Sequence, residues 1–187
     1  MATRAHLFCA AAAALLLSAC GERESGPIAA SVIGDRPAIA NPNRVPLDPP
    51  AAFLLQAVAQ GLVRFDAAGE IEPALAQSWI VSDDGLRYTF RIRRTDWLRG
   101  GRVTAEQVVA RLQAASSPSS RNPLKPILGL VERIEAMTDQ VLEITLKSPR
   151  LNFLQLLAQP EMAILHENSG TGPYRGAPRP DGTLLLT

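Results

Sequence analysis

One stretch restricts the fold more than any other. It runs Trp79-Ile80-Val81, then Ser82-Asp83-Asp84-Gly85, then Leu86-Arg87-Tyr88-Thr89-Phe90-Arg91-Ile92-Arg93. Tyr88, Phe90 and Ile92 alternate with Arg87, Thr89, Arg91 and Arg93. Along a strand, successive side chains point to opposite faces, so the apolar set faces a core and the arginines face away from it. Asp84-Gly85 between β formers predicts a hairpin, because such a turn needs positive φ. The arginine face reads either as the solvated side of a sheet or as a surface for an anionic ligand. A second hairpin is predicted from residues 130–137 and 141–147 across Thr138-Asp139-Gln140. There Leu142, Ile144 and Leu146 alternate with Glu143, Thr145 and Lys147.

Helical signals lie between and around these strands. Residues 51–60 are rich in Ala and Leu, and Gly61 follows as a C-terminal stop. Thr104-Ala105-Glu106-Gln107 opens a second helix as a capping box, with Val108, Val109 and Leu112 on its apolar side. Residues 151–158 predict a short helix ending before Pro160, and 161–165 a further strand. Residues 62–65 read as a short apolar segment, 66–69 as a turn, and 71–77 as a compact connection. Residues 116–126 read as a loop rich in Ser and Pro. Pro37, Pro42, Pro46, Pro49 and Pro50 crowd one segment, which predicts an extended connection or a disordered linker. Mixed strands and helices make the expected class α+β.

The first twenty residues address the compartment. Arg4 is followed by an apolar run over 7–17, then Ser18, Ala19 and Cys20. This is the layout of a secretory signal. The run is too short to cross a bilayer, which needs about 20 apolar residues. Leu17-Ser18-Ala19-Cys20 resembles the bacterial lipobox, which implies cleavage between Ala19 and Cys20 and acylation of the Cys20 thiol. Cleavage removes Arg4, His6 and Cys9, leaving His166 as the only histidine and Cys20 as the only cysteine. A His/Cys zinc cage, a cysteine nucleophile and a Ser-His-Asp triad each need groups such a chain lacks. No Gly-x-Ser-x-Gly elbow is present. A hydrolase is therefore disfavoured, no catalytic residue and no metal site is expected, and His166 is read as a surface or loop residue. The formal net charge of +1 lacks the basic surplus that nucleic-acid binding requires.

Further motifs occur in a fixed order. They are Gly61-Leu62-Val63-Arg64-Phe65-Asp66, Pro73-Ala74-Leu75-Ala76-Gln77-Ser78-Trp79, Ser82-Asp83-Asp84-Gly85-Leu86 with Tyr88-Thr89-Phe90, Thr104-Ala105-Glu106-Gln107-Val108-Val109, and Gly170-Thr171-Gly172-Pro173-Tyr174. This order resembles the extracellular solute-binding proteins of family 5, which include the oligopeptide-, dipeptide- and nickel-binding proteins of ABC transporters. Gln107 stands where the family usually has Asp.

The resemblance implies a partial periplasmic-binding-protein-like fold of class II. The expected divisions are a lipoprotein signal over 1–19 and a lipidated tether over 20–27. The first strand of the main lobe and a Pro-rich connection take 28–49, with Ile28 to Gly34 as that strand. A small α+β subdomain of the first lobe takes 50–169, and the start of the return to the main lobe takes 170–187. Trp79 is expected in the core. The second lobe is expected to be absent, and the end on Leu184-Leu185-Leu186-Thr187 to leave an apolar strand without a partner.

Two readings of function follow. One is a lipid-anchored receptor that passes peptides or other small solutes to an ABC permease, of which this chain is a fragment or truncated member. The other is a stand-alone lipid-anchored interaction or structural module that has lost solute binding. With one jaw of a clamp, the chain by itself is expected to bind oligopeptides poorly. Ile39 to Asn43, and Tyr174, lie near segments that border the cleft in relatives. No ligand contact and no cofactor is implied, and the inner or outer membrane is left open.

Overall fold

The two hairpins form, and they join into one sheet. The computed structural model describes residues 31–33, 38–167, 169–180 and 183–187. The expected signal and cleavage site, Cys20, the expected tether, and all but 31–33 of the expected first strand lie outside the described residues; 31–33 are not in a strand.

Strands β3 (Ala76–Val81), β4 (Arg87–Ile92), β5 (Val131–Thr138) and β6 (Val141–Leu146) make an antiparallel sheet of order β3-β4-β6-β5. Tyr88 pairs with Ile144 and Phe90 with Leu142 in the β4–β6 register. The alternation read from the sequence is therefore one continuous inner face. Phe90 and Leu142 are fully buried. The arginines of β4 stand on the opposite face, exposed.

In the β3–β4 connection only Gly85 takes positive φ, at 67°. Asp84 supplies side-chain bonding instead of a second left-handed residue. It accepts the Leu86 N–H at 3.0 Å and the Ser82 hydroxyl. These bonds hold the Asp84 carboxyl below the usual carboxylate range. Trp79 is only half-buried at the edge of the core. The fully packed tryptophan is Trp97, which follows the sheet in a tight loop closed by Gly100 and Gly101 at positive φ.

Helix α1 (Pro49–Val58) starts earlier than residues 51–60 suggest. Asp48 Oδ1 accepts the Ala51 N–H at 2.8 Å as the cap. Pro49 and Pro50 then fit the first turn, where backbone N–H groups have no helical partner to lose. The helix stops at Val58 rather than at Gly61. A Cβ on Gly61 would come within 2.8 Å of the Leu157 carbonyl oxygen, so that glycine serves close packing.

Helix α2 (Ala105–Ser116) carries the expected capping box. It lies across β5 and β6. A short helix α3 (Lys125–Leu128) interrupts the Ser/Pro-rich loop, and α4 (Phe153–Leu157) ends before Pro160 as expected. The compact connection over 71–77 is in part a strand. β1 (Val63–Phe65) pairs antiparallel with β2 (Ile71–Pro73).

Residues 161–165 do not form the expected strand. A 3₁₀ turn takes Pro160–Met162, and the chain then runs extended, with the Ile164 N–H donating to the Gln60 carbonyl. Leu184–Leu186 is not unpaired either: as β8 it pairs with β7 (Gly176–Pro178). Asp181 and Gly182, between them in sequence, lie outside the described residues.

Candidate functional site

A polar groove of about 370 Å³ is built where four distant segments meet. The first is the Pro-rich connection. Asn41 Oδ1 accepts the Asn43 N–H at 2.9 Å, and the Asn41 carbonyl accepts the N–H groups of Arg44 and Val45. This side-chain-closed turn is how asparagine substitutes for regular structure next to proline. The turn is fastened to the rest of the fold by buried Asn122. Asn122 Nδ2 donates to Asn43 Oδ1 at 2.9 Å and to the Glu161 carbonyl at 2.8 Å.

The second wall is the end of α2, with Arg111 and Ala114. The helix must stop there because Ser117 precedes Pro118. A residue before proline is driven to extended backbone, and Ser117 has ψ of 154°. The third wall is the turn that follows, bearing Ser117, Ser119 and Ser120. Lys125 Nζ donates to the Pro118 carbonyl at 2.6 Å and braces it.

The fourth wall is the stretch from Ala163 to Glu167. Leu165 is buried with Leu55 of α1 and Ala59 just beyond it, and Ile39 and Leu47 pack on them. His166 lies in a loop, as expected, and is half-buried. Its ring stacks on Trp97 with centroids 5.0 Å apart. Arg111 Nη2 lies 2.9 Å from His166 Nδ1, and since a guanidinium only donates, Nδ1 accepts there. The Trp97 indole N–H in turn donates to Gln107 Oε1 at 2.8 Å, the same oxygen that accepts the Thr104 N–H in the capping box. Glu167, next along, has φ of 51°, the one positive value among described residues other than glycine. His166 and Ser169 close this turn by exchanging backbone hydrogen bonds at 2.7 and 3.0 Å. Asn168 lies outside the described residues.

Of the residues the sequence placed near a cleft, Asn41 and Asn43 line this groove and Ile39 packs behind it. Tyr174 does not line it. Its N–H donates to the Ala57 carbonyl at the end of α1, and its side chain is half-exposed. Arg44, Arg111, the serines and Glu167 went unrecognised. No spacing signal joins positions 44, 111 and 167, which meet only through the fold. Among the described residues no group of three or more His, Cys, Asp or Glu could hold a metal ion. Also among them, no helix is long and apolar enough to cross a membrane.

A second groove of about 230 Å³ lies beside α1 and β1. Its arginine, Arg64, is already paired to Glu72 at 2.6 Å.

Residues 70–182, more than half of the chain, match the family described as bacterial extracellular solute-binding proteins, family 5 middle. The glutathione-binding protein GsiB of Salmonella choleraesuis is 33% identical over 153 residues, covering 71% of this chain and 30% of that protein. GsiB of Escherichia coli O1:K1 is 34% identical over 152 residues with the same coverage. The chain thus spans about 30% of the length of the curated relatives it matches.

Among solved structures, the periplasmic binding protein AgaA of A. tumefacien R10 in complex with agropinic acid superposes with a TM-score of 0.64. It is 28% identical and covers 68% of this chain and 28% of that one. Haemophilus influenzae OppA in complex with the peptide RPPGFSPFR superposes with a TM-score of 0.71 at 22% identity, covering 78% of this chain and 35% of that one. The fold is part of a class II periplasmic binding protein. The chain belongs to family 5 of the bacterial extracellular solute-binding proteins.

Proposed function

We propose that this family 5 protein serves as the solute-binding component of an ABC transporter, held to a bacterial membrane by lipid on Cys20. In this reading residues 1–19 are the signal and 20–27 the tether. Residues 28–49 and 170–187 belong to the main lobe, and 50–169 form its small subdomain. The solute is a peptide or another small molecule, with glutathione in range because the relatives at 33–34% identity are glutathione-binding proteins. The observation that carries the reading is the family match over residues 70–182, supported by the same segment folding like the binding proteins it resembles. Acylation supports a firm anchor only when more than one chain is attached, since a single acyl chain holds marginally.

Uptake tests the delivery role. Cells lacking the gene are compared with complemented cells for import of labelled dipeptides, tripeptides and glutathione. A tenfold loss for at least one solute, restored by complementation, is expected. Unchanged import of the whole panel would overturn delivery and favour a lipid-anchored interaction module. For the anchor, Cys20→Ser is expected to move the protein from the membrane fraction to the soluble fraction and to abolish labelling by palmitate. Its retention in the membrane fraction would refute lipid attachment at Cys20.

A further inference from the structure

The polar groove carries both signs of charge, and among the described residues no ion pair joins them. Arg44, Arg111 and Glu167 all line it. The ion pairs within 4.0 Å among described residues are Arg64–Glu72 and Arg133–Glu135, so neither arginine of the groove pairs with Glu167 or with another described carboxylate. Opposite charges that line one groove without pairing, all three of them exposed to solvent, are open to a molecule that carries both.

Parts of the wall are also pre-set. Arg111 is fixed by the His166 ring, which Trp97 holds by stacking. Glu167 is held in left-handed backbone, a conformation a residue other than glycine adopts at a cost and keeps only when its surroundings impose it. The Ser117–Ser120 turn is braced by Lys125, and Asn43 by Asn122. A site with part of its wall already placed loses less entropy on binding. Three hydroxyls and two asparagines add hydrogen-bonding groups around the charges. The volume of about 370 Å³ sits at the small end of ligand pockets, which run from roughly 300 to 1,000 Å³.

We propose that this groove binds a small acidic zwitterion, with two carboxylates on Arg44 and Arg111 and one ammonium on Glu167. An acidic amino acid has this arrangement of charge. Two guanidinium groups and one carboxylate give the wall a surplus of one positive charge, which such a ligand cancels. Guanidinium groups hold carboxylates by paired, charge-assisted hydrogen bonds. The site stands on its own geometry and does not depend on delivery to a permease.

Calorimetry on the full-length native protein tests it, with L-glutamate as the probe and L-glutamine and succinate as comparisons. Glutamate is expected to bind at least tenfold tighter than glutamine, which lacks the second carboxylate, and than succinate, which lacks the ammonium. Arg44→Gln should weaken glutamate tenfold or more. Glu167→Gln should remove the preference over succinate while leaving succinate itself no weaker. Arg111→Gln also breaks the contact to His166, so its effect counts only where circular dichroism matches the wild type. Binding unaffected by both Arg44→Gln and Glu167→Gln, or no preference among the three probes, would overturn the proposal. Solute uptake is a separate readout, so loss of the delivery role with glutamate binding intact, or the reverse, tells the two readings apart.

Discussion

Gly172 shows why one atom matters at the end of α1. A Cβ there would lie 2.3 Å from the Val58 carbonyl carbon and 2.6 Å from the Ala57 oxygen. Gly170 is pressed the same way against Ala59. The closeness has a purpose. The last carbonyls of a helix have no partner within it, and here the Gly172 N–H donates to the Val58 carbonyl and the Tyr174 N–H to that of Ala57. The segment Gly170-Thr171-Gly172-Pro173-Tyr174 is thus the cap of α1, and its glycines are there to let backbone meet backbone. Gly172→Ala is expected to lower stability by about 1–3 kcal/mol, the usual cost of overpacking. Denaturant unfolding measures it, and an unchanged midpoint would contradict the account. In the sequence Gly172 stands only as a residue before a proline, which favours extended backbone; the neighbour that forbids a side chain lies more than a hundred positions away.

The β3–β4 hairpin is the element whose chemistry was most legible, because its causes are local. Period two, a turn glycine and an aspartate all lie within fifteen residues. The detail that escaped is that Asp84 works through its side chain. Its carboxyl titrates below its ordinary value of 3.8, chiefly because the Ser82 hydroxyl and then the Leu86 N–H bond its charged form. A lowered pKa means the charged form is favoured by folding. The stabilisation is therefore present above pH 3.8 and is lost as the pH falls through the folded value. Thermal melts of the wild type should lose more on acidification below pH 3.8 than melts of Asp84→Asn, which lacks the titrating group. Equal acid sensitivity of the two would refute it. α2 was legible for the same reason, since Thr104 and Gln107 are three residues apart. That Gln107 Oε1 also accepts from Trp97 was not, since nothing in the spacing of ten residues requires the contact.

At the scale of the molecule, Asn122 does what no motif announced. It is 3% exposed and ties segments 79 and 39 positions away through one amide nitrogen. Asn122→Leu leaves the acceptors on Asn43 and Glu161 without their donor, at an expected cost of about 1–3 kcal/mol. Hydrogen exchange should quicken at the Arg121 amide, which donates to the Asn43 carbonyl at 2.9 Å. Exchange no faster than in the wild type would show that the connection holds without Asn122. The sequence by itself determined both hairpins, the capping box, the family and the α+β class, because turns, caps and side-chain periodicity are settled between residues a few positions apart. Only the tertiary structure decided that β4 and β6 pair at the centre of the sheet, that the Leu184–Leu186 strand has a partner in β7, and that Arg44, Arg111 and Glu167 share a groove. Those contacts close long loops, and many pairings of distant segments fit the same local pattern until packing selects one.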